Sequence, residues 1–154
     1  MEISRMPKPI LNNGRQQTQS TLNSNGRQEN TIARTADEPI FNQMRFLRNK
    51  DLINQSKLGK ITVVGAGGIG SSLIQSAAIM GFKRLDIWDY DSLEHHNLST
   101  TIYPDRYINQ PKAEIAAKMA YDFQAESISY NEPWTRLRPL NNVVFMCPDN
   151  METR

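Results

Sequence analysis

Residues 61–81 read ITVVGAGGIGSSLIQSAAIMG, and this stretch decides the fold. Ile61 to Val64 is a short β-branched run, long enough for one buried strand. Gly65, Gly67, Gly68 and Gly70 follow as a turn, with Gly65, Gly67 and Gly70 in the spacing G-x-G-x-x-G. Ser71 to Met80 continues as a helix of mostly small residues, and Gly81 is placed to stop it. Strand, glycine turn and helix, in that order, form the context this spacing needs. Gly65 allows the tight turn, Gly67 lets a phosphate approach the backbone, and Gly70 lets the helix lie close on the strand. The helix start offers free N–H groups and a positive dipole end to an anion.

Downstream, Leu85, Ile87 and Trp88 carry a second strand that stops at Asp89, 19 residues after Gly70. An acidic residue at a strand end in this position accepts hydrogen bonds from a ribose. These features select a nucleotide without choosing between NAD and ATP, which share adenosine and phosphates. The polar stretch 91–110 is long for a loop. Pro111 then opens a helix whose Ile115, Met119 and Phe123 line one face, with Ala116 and Ala120 beside them. Residues 127–130 and 134–137 read as a third strand around a turn at 131–133, and Val143 to Cys147 is a fourth apolar run. Upstream, FNQMRFLRNKDLINQS (41–56) has apolar residues at 41, 44, 47, 52 and 53, the pattern of an amphipathic helix. The alternation implies an α/β, Rossmann-like fold: a mainly parallel sheet with helices on both faces.

The 154-residue chain has room for about one domain. Its hydrophobic share is 38%, and the deficit is concentrated at the start: residues 1–40 contain no aromatic, and 11–31 are dominated by Asn, Gln, Ser and Thr. So little apolar surface does not offset the ordering entropy, which predicts a disordered polar tail over 1–38 and a folded domain over 39–154. The net charge of +2 hides an asymmetry: ten Lys/Arg face five Asp/Glu in 1–60, and eight face eleven in 61–154. The tail's bases are scattered and no aromatic interleaves them, which argues against nucleic acid as a partner. No run approaches the ~18 apolar residues of a membrane span. Met1 to Ile10 lacks the apolar core of a secretory signal, and one cysteine excludes an internal disulfide framework. A cytoplasmic setting without membrane contact is expected. Cys147, in its apolar run, reads as a small buried residue, and His95–His96 read as a solvated loop.

Beyond the glycine turn, DYDSLEHHNLSTTIYPDRYINQPKAEIAAKM (89–119) and VVFMCPDNMETR (143–154) resemble the ThiF/MoeB superfamily, the adenylation domains related to ubiquitin-activating enzymes. That family's pattern is D-x-D, N-L-x-R-Q, a Q-P-K-like helix start and D-N-x-x-x-R after a strand. Asp89 and Asp91, Asn97 and Leu98, Gln110 to Lys112, and Asp149, Asn150 and Arg154 match it in order. Arg45 to Asn49 looks like the family's R-Y-x-R-Q helix, so the resemblance covers about 45–154.

The resemblance implies ATP-dependent activation of a C-terminal carboxylate, on a ubiquitin-like or sulfur-carrier protein, as an acyl-adenylate. It implies that Gly65, Ala66, Gly67, Gly68, Ile69 and Gly70 cradle the nucleotide, with Asp89 on the ribose and Asp91 beside it. Asn97 and Lys112 would contact phosphates, Asp149 would hold Mg²⁺, and Arg48 would reach a phosphate site across a dimer interface. Taken as residues alone, Lys112 and Arg48 also read as solvated charges, and Asp149 as a turn or cap residue.

The chain departs from the pattern at Asn49, which replaces the usual Gln, and in two larger ways. Thr100 and Thr101 stand where the family has Arg and Gln, so a charged phosphate contact is missing. The chain also stops directly after the last matched element, so an incomplete domain is expected, acting as a homodimer or with a complementing second half. Two alternatives accompany the adenylyltransferase reading: a non-catalytic nucleotide-binding interaction module, and an NAD-dependent oxidoreductase domain. The latter leaves Asn97, Gln110–Lys112 and Asp149–Arg154 without a purpose.

Overall fold

A computed structural model describes residues 17–22, 28–33 and 45–149 of the chain. Six strands form one sheet: β1 (Gln17–Leu22), β2 (Gln28–Ala33), β3 (Lys60–Val64), β4 (Arg84–Trp88), β5 (Glu126–Tyr130) and β6 (Val143–Met146). Their spatial order is β1-β2-β5-β4-β3-β6. The last four are mutually parallel, and β1 and β2 add an antiparallel pair at the β5 edge. Two helices connect the parallel strands: α1 (Gly68–Met80) between β3 and β4, and α2 (Lys112–Asp122) between β4 and β5. The expected Rossmann-like parallel sheet is therefore present. No helix among the described residues is long and apolar enough to cross a membrane.

The core lies on one face of the sheet. Ile61, Val63, Leu85 and Ile87 alternate inward along β3 and β4 and are fully buried against Ile74, Ala77 and Ala78 of α1. Burying each of the larger side chains contributes about 1.5–3 kcal/mol. From α2, Ala113, Ala116, Ala117 and Ala120 meet the same face. Small side chains bring α2 close enough that the buried Ser127 hydroxyl of β5 donates to the Ala117 carbonyl at 3.0 Å. Gly81 ends α1 as expected, at φ 97°, with its N–H shared between the Ala77 and Ala78 carbonyls.

Helices were expected on both faces, but among the described residues both lie on this one. The strand order explains why. The β3→β4→β5 connections step the same way across the sheet, and crossovers of one hand then leave their helices on one side. The return from β5 to β6 crosses the opposite face as irregular chain over 131–142, so the strand expected at 134–137 does not form. Side chains anchor this strap. Arg138 lies 5.2 Å over the Trp88 ring, Trp88 stacks on Tyr130 at 3.9 Å, and the Asn141 amide donates to Thr62 and Asp86.

The strands β1 and β2 fall within the stretch expected to be a disordered tail, to which the sequence reading assigned no strand. Asn30 to Ile32 pair with Ser127 to Ser129 of β5, so part of that stretch joins the sheet. Backbone N–H and C=O groups suffice for such a ladder, and every residue but proline carries both. The rest of the expected tail, 1–16, 23–27 and 34–38, lies outside the described residues, as do 39–40 and residues 41–44 of the expected upstream helix. Residues 46–52 are a run of turns, closed by bonds such as Ile53 N–H to the Asn49 carbonyl at 2.8 Å.

Candidate nucleotide site

The sheet order reverses at β3, between β4 on one side and β6 on the other. Open α/β sheets bind ligands in the crevice beyond the strand ends at such a switch point. The glycine turn leaves β3 there. Gly65 has φ 92°, and a Cβ on it would lie 2.8 Å from the Cys147 carbonyl carbon and 2.9 Å from Pro148 N. Only glycine permits both the conformation and the approach of β6. A Cβ on Gly70 would collide with the Gly65 carbonyl oxygen, whereas one on Gly67 would meet nothing within 4 Å. Gly65 and Gly70 thus serve the packing of the turn, and Gly67 faces open space. The crowding at Gly65 and Gly70 is the steric part of what the spacing predicts.

Hydrogen bonds draw four segments to the mouth of this turn. The Ala66 N–H donates to Asp89 Oδ2 at 2.6 Å, and the Asp91 N–H donates to Asp89 Oδ1 at 2.8 Å. Burial pushes the Asp89 carboxyl above the ordinary aspartate range, opposed by those two N–H donors and by the positive charge of Lys112. Lys112 is 7% exposed, too buried for an unpartnered ammonium. Its Nζ meets Asp91 Oδ2 at 3.2 Å, and its N–H donates to the Asp91 carbonyl at 2.8 Å. A fourth segment contributes Tyr103, a residue the sequence reading did not single out, whose phenol donates to the Ala66 carbonyl at 2.8 Å.

An open cleft of about 400 Å³, solvent included, runs beside the turn; Gly65, Asp89, Asp91, Trp134 and Asp149 are among the residues lining it. Asp149 is exposed at its edge. Trp134, read in the sequence only as part of a strand, has a buried indole N–H with no partner among the described residues. Four carboxylates line the cleft: Asp89, Asp91, Glu132 and Asp149. The nearby cations Lys112 and Arg138 are each already paired, with Asp91 and with Glu132.

Other expected site residues stand further out. The Asn97 side-chain oxygen accepts from the Glu94 N–H at 3.1 Å, closing a reciprocal cap on a single 3-10 turn, His95–Asn97. Both Thr100 and Thr101 turn their hydroxyls onto the Asn97 carbonyl, at 3.1 and 3.0 Å. Arg106 lies 4.8 Å over the Tyr107 ring. Arg48 is exposed in the turn run and does not line the cleft. Arg45 donates to the Phe123 carbonyl and lies over the Phe46 and Phe123 rings, tying that run to the end of α2. His95 and His96 are exposed, and no group of three or more His, Cys, Asp or Glu among the described residues is placed to hold a metal. Burial raises the Cys147 thiol. Asn150 and Arg154 lie outside the described residues.

A family model described as ThiF family matches residues 42–154. The chain belongs to the ThiF family. Among relatives, this ThiF-family chain is 30% identical over 129 residues to molybdopterin-synthase adenylyltransferase from Haemophilus influenzae, covering 77% of this chain and 53% of that protein. It is 40% identical over 60 residues to the NEDD8-activating enzyme E1 catalytic subunit of Arabidopsis thaliana, covering 38% of this chain and 13% of that one. The ThiF-family chain thus spans about half the length of the first relative and a small part of the second. A crystal structure of E. coli MccB with ATP matches at a TM-score of 0.46 and 21% identity, over 64% of this chain and 26% of that one.

Proposed function

We propose that this chain binds ATP with Mg²⁺ at the glycine turn and contributes to activating a C-terminal carboxylate, on a ubiquitin-like or sulfur-carrier protein, as an acyl-adenylate. The observation that carries the reading is the junction of Ala66, Asp89, Asp91 and Lys112 at one mouth in a ThiF-family chain. In the reaction, a carboxylate oxygen bonds to the α-phosphorus, the bond to the β-phosphate oxygen breaks, and pyrophosphate leaves. A carboxylate is already ionised near neutral pH, so no strong base is required. The turn's N–H groups hold phosphate oxygens, Asp89 accepts from the ribose, and Lys112 swings from Asp91 onto the reacting phosphate. Asn97 is assigned to the same phosphate group, and Arg48 to a partner subunit's phosphates. Asp149 offers the hard oxygen Mg²⁺ prefers, and the ion neutralises charge on the leaving group.

Four carboxylates with both nearby cations paired make the cleft a poor host for a bare polyphosphate. ATP is therefore expected to bind in calorimetry with Mg²⁺ and at least about tenfold more weakly with EDTA, while NAD⁺ gives no saturable heat. Binding of NAD⁺ in preference to ATP, or of neither, overturns the reading. The weak point is catalysis. With both threonine hydroxyls turned onto Asn97, residues 100 and 101 present no charge to a phosphate, which favours a nucleotide-binding partner role over robust turnover by this chain alone. Carboxylate-dependent pyrophosphate exchange by the purified chain is accordingly expected to be slight.

Gly67→Ala separates binding from folding. Its Cβ meets no atom within 4 Å, so the melting midpoint should move by no more than a few degrees. The methyl stands where a phosphate would approach, so ATP affinity should fall about tenfold or more. Unchanged affinity would place the phosphates elsewhere.

A further inference from the structure

We propose that Tyr103 is the positioning residue of the anion-binding turn: its phenol, by holding the Ala66 carbonyl, aims the Gly67 N–H at the nucleotide's phosphates. The proposal rests on the nucleotide reading above.

Tyr103 is 4% exposed and donates to the Ala66 carbonyl at 2.8 Å across 37 residues of chain. Ala66 is fully buried, and its own N–H is held by Asp89 at 2.6 Å. Side chains from two other segments therefore fix both polar groups of this residue. A trans peptide is a rigid plane with its C=O and the following N–H on opposite sides. Turning the Ala66 carbonyl to Tyr103 thus turns the Gly67 N–H away from it. That N–H has no partner among the described residues, and the space beside Gly67 is open within 4 Å.

The neighbouring contact has the same sense. The Thr100 carbonyl oxygen lies 3.1 Å from where a Cβ on Gly68 would stand, so the segment carrying Thr100 and Tyr103 braces the turn along two residues. This segment lacks the arginine of the family pattern at position 100 and presents no charge. It acts on the phosphates through the backbone it holds. Burial, followed by the negative charge on Asp89, raises the Tyr103 phenol, so it remains a donor across the working pH range. A tyrosine that only completed the core would alter stability and treat every ligand alike.

The test is Tyr103→Phe in the full chain, which keeps the ring and removes the donor. With Mg²⁺ present, affinities for adenosine and ATP are measured by calorimetry. ATP should weaken about tenfold, the scale of one buried hydrogen bond, while adenosine is unchanged. Equal losses for both, or no loss for ATP, overturn the proposal. In the unliganded chain, the Gly67 and Gly68 amide resonances should shift in Y103F, and unshifted resonances also overturn it. If the parent chain binds no ATP, the nucleotide reading fails and these amides alone decide whether Tyr103 aims the turn. Global 3-fluorotyrosine substitution strengthens the donor while keeping the hydroxyl and should move the Gly67 amide in the opposite sense. It covers the case in which Y103F does not fold, and an unmoved amide there is equally fatal.

Discussion

Gly70→Ala is expected to lower stability by roughly 3 kcal/mol, the upper range for overpacking a closed site, and to abolish nucleotide binding. The added Cβ would overlap the Gly65 carbonyl oxygen and lie 2.8 Å from its carbon. Gly65 has nowhere to go. Its N–H is held by the Trp88 carbonyl at 2.7 Å, its φ is 92°, and the Cys147–Pro148 backbone fills the place where a Cβ on it would stand. Relief would require α1 to lift from β3, which unseats Ile74 and Ala78 from the core. For a domain of this size the loss corresponds to about 10 °C in the melting midpoint. Thermal melts followed by circular dichroism, with urea titration as a second measure, check it. A variant that melts within 2–3 °C of the parent, on the same scale, would show that the turn is looser than its contacts imply. The contrast with Gly67→Ala matters: two glycines three residues apart should separate, one into stability and the other into affinity.

Those glycines were legible because steric demands repeat wherever a strand turns into a helix. The same holds for β4 and α2, whose apolar periods reflect burial on a sheet, whereas β6 was legible only as an apolar run, with Val143 and Met146 exposed. What escaped the reading lacked any such period. Tyr103 is one aromatic in a polar stretch, and its target is a backbone carbonyl 37 residues away, which no local spacing encodes. The pairing of β1 with β2 and of β2 with β5 is made by backbone groups, which no side-chain period reports. The 131–142 strap was misjudged for a related reason. Trp134 to Leu137 looked strand-like, but Pro133 and Pro139 flank it, and Arg138 and Asn141 instead anchor it through contacts with Trp88, Thr62 and Asp86. For the proposed site, the sequence named candidate residues but not their pairing. Asp91 and Lys112 were both singled out, yet nothing in the chain's order says that they hold each other.

That pairing sets the expectation for Lys112→Ala. Lys112 opens α2 with its side chain only 9% exposed, and its ammonium rests on Asp91, whose side chain is 48% exposed. Removing the lysine leaves a carboxylate that water can reach, not a buried orphan charge, so the fold should survive with a modest loss of stability. The functional cost should be larger. If the ammonium transfers from Asp91 to a phosphate oxygen, the transition state loses that cation. Residues 100 and 101 cannot compensate, since their hydroxyls are turned onto Asn97. ATP affinity should then fall about tenfold and pyrophosphate exchange, in any preparation where the parent shows it, about 10²-fold. Adenosine affinity should not change, because the lysine would touch phosphates only. Lys112→Arg should recover the charge but little of the rate, since a planar fork does not fit where a compact ammonium sits beside Asp91. Calorimetry with ATP and adenosine, run beside melting curves, separates the roles. An alanine variant that melts early but binds ATP like the parent would reduce Lys112 to a structural partner of Asp91 and leave the phosphates to the turn's N–H groups alone.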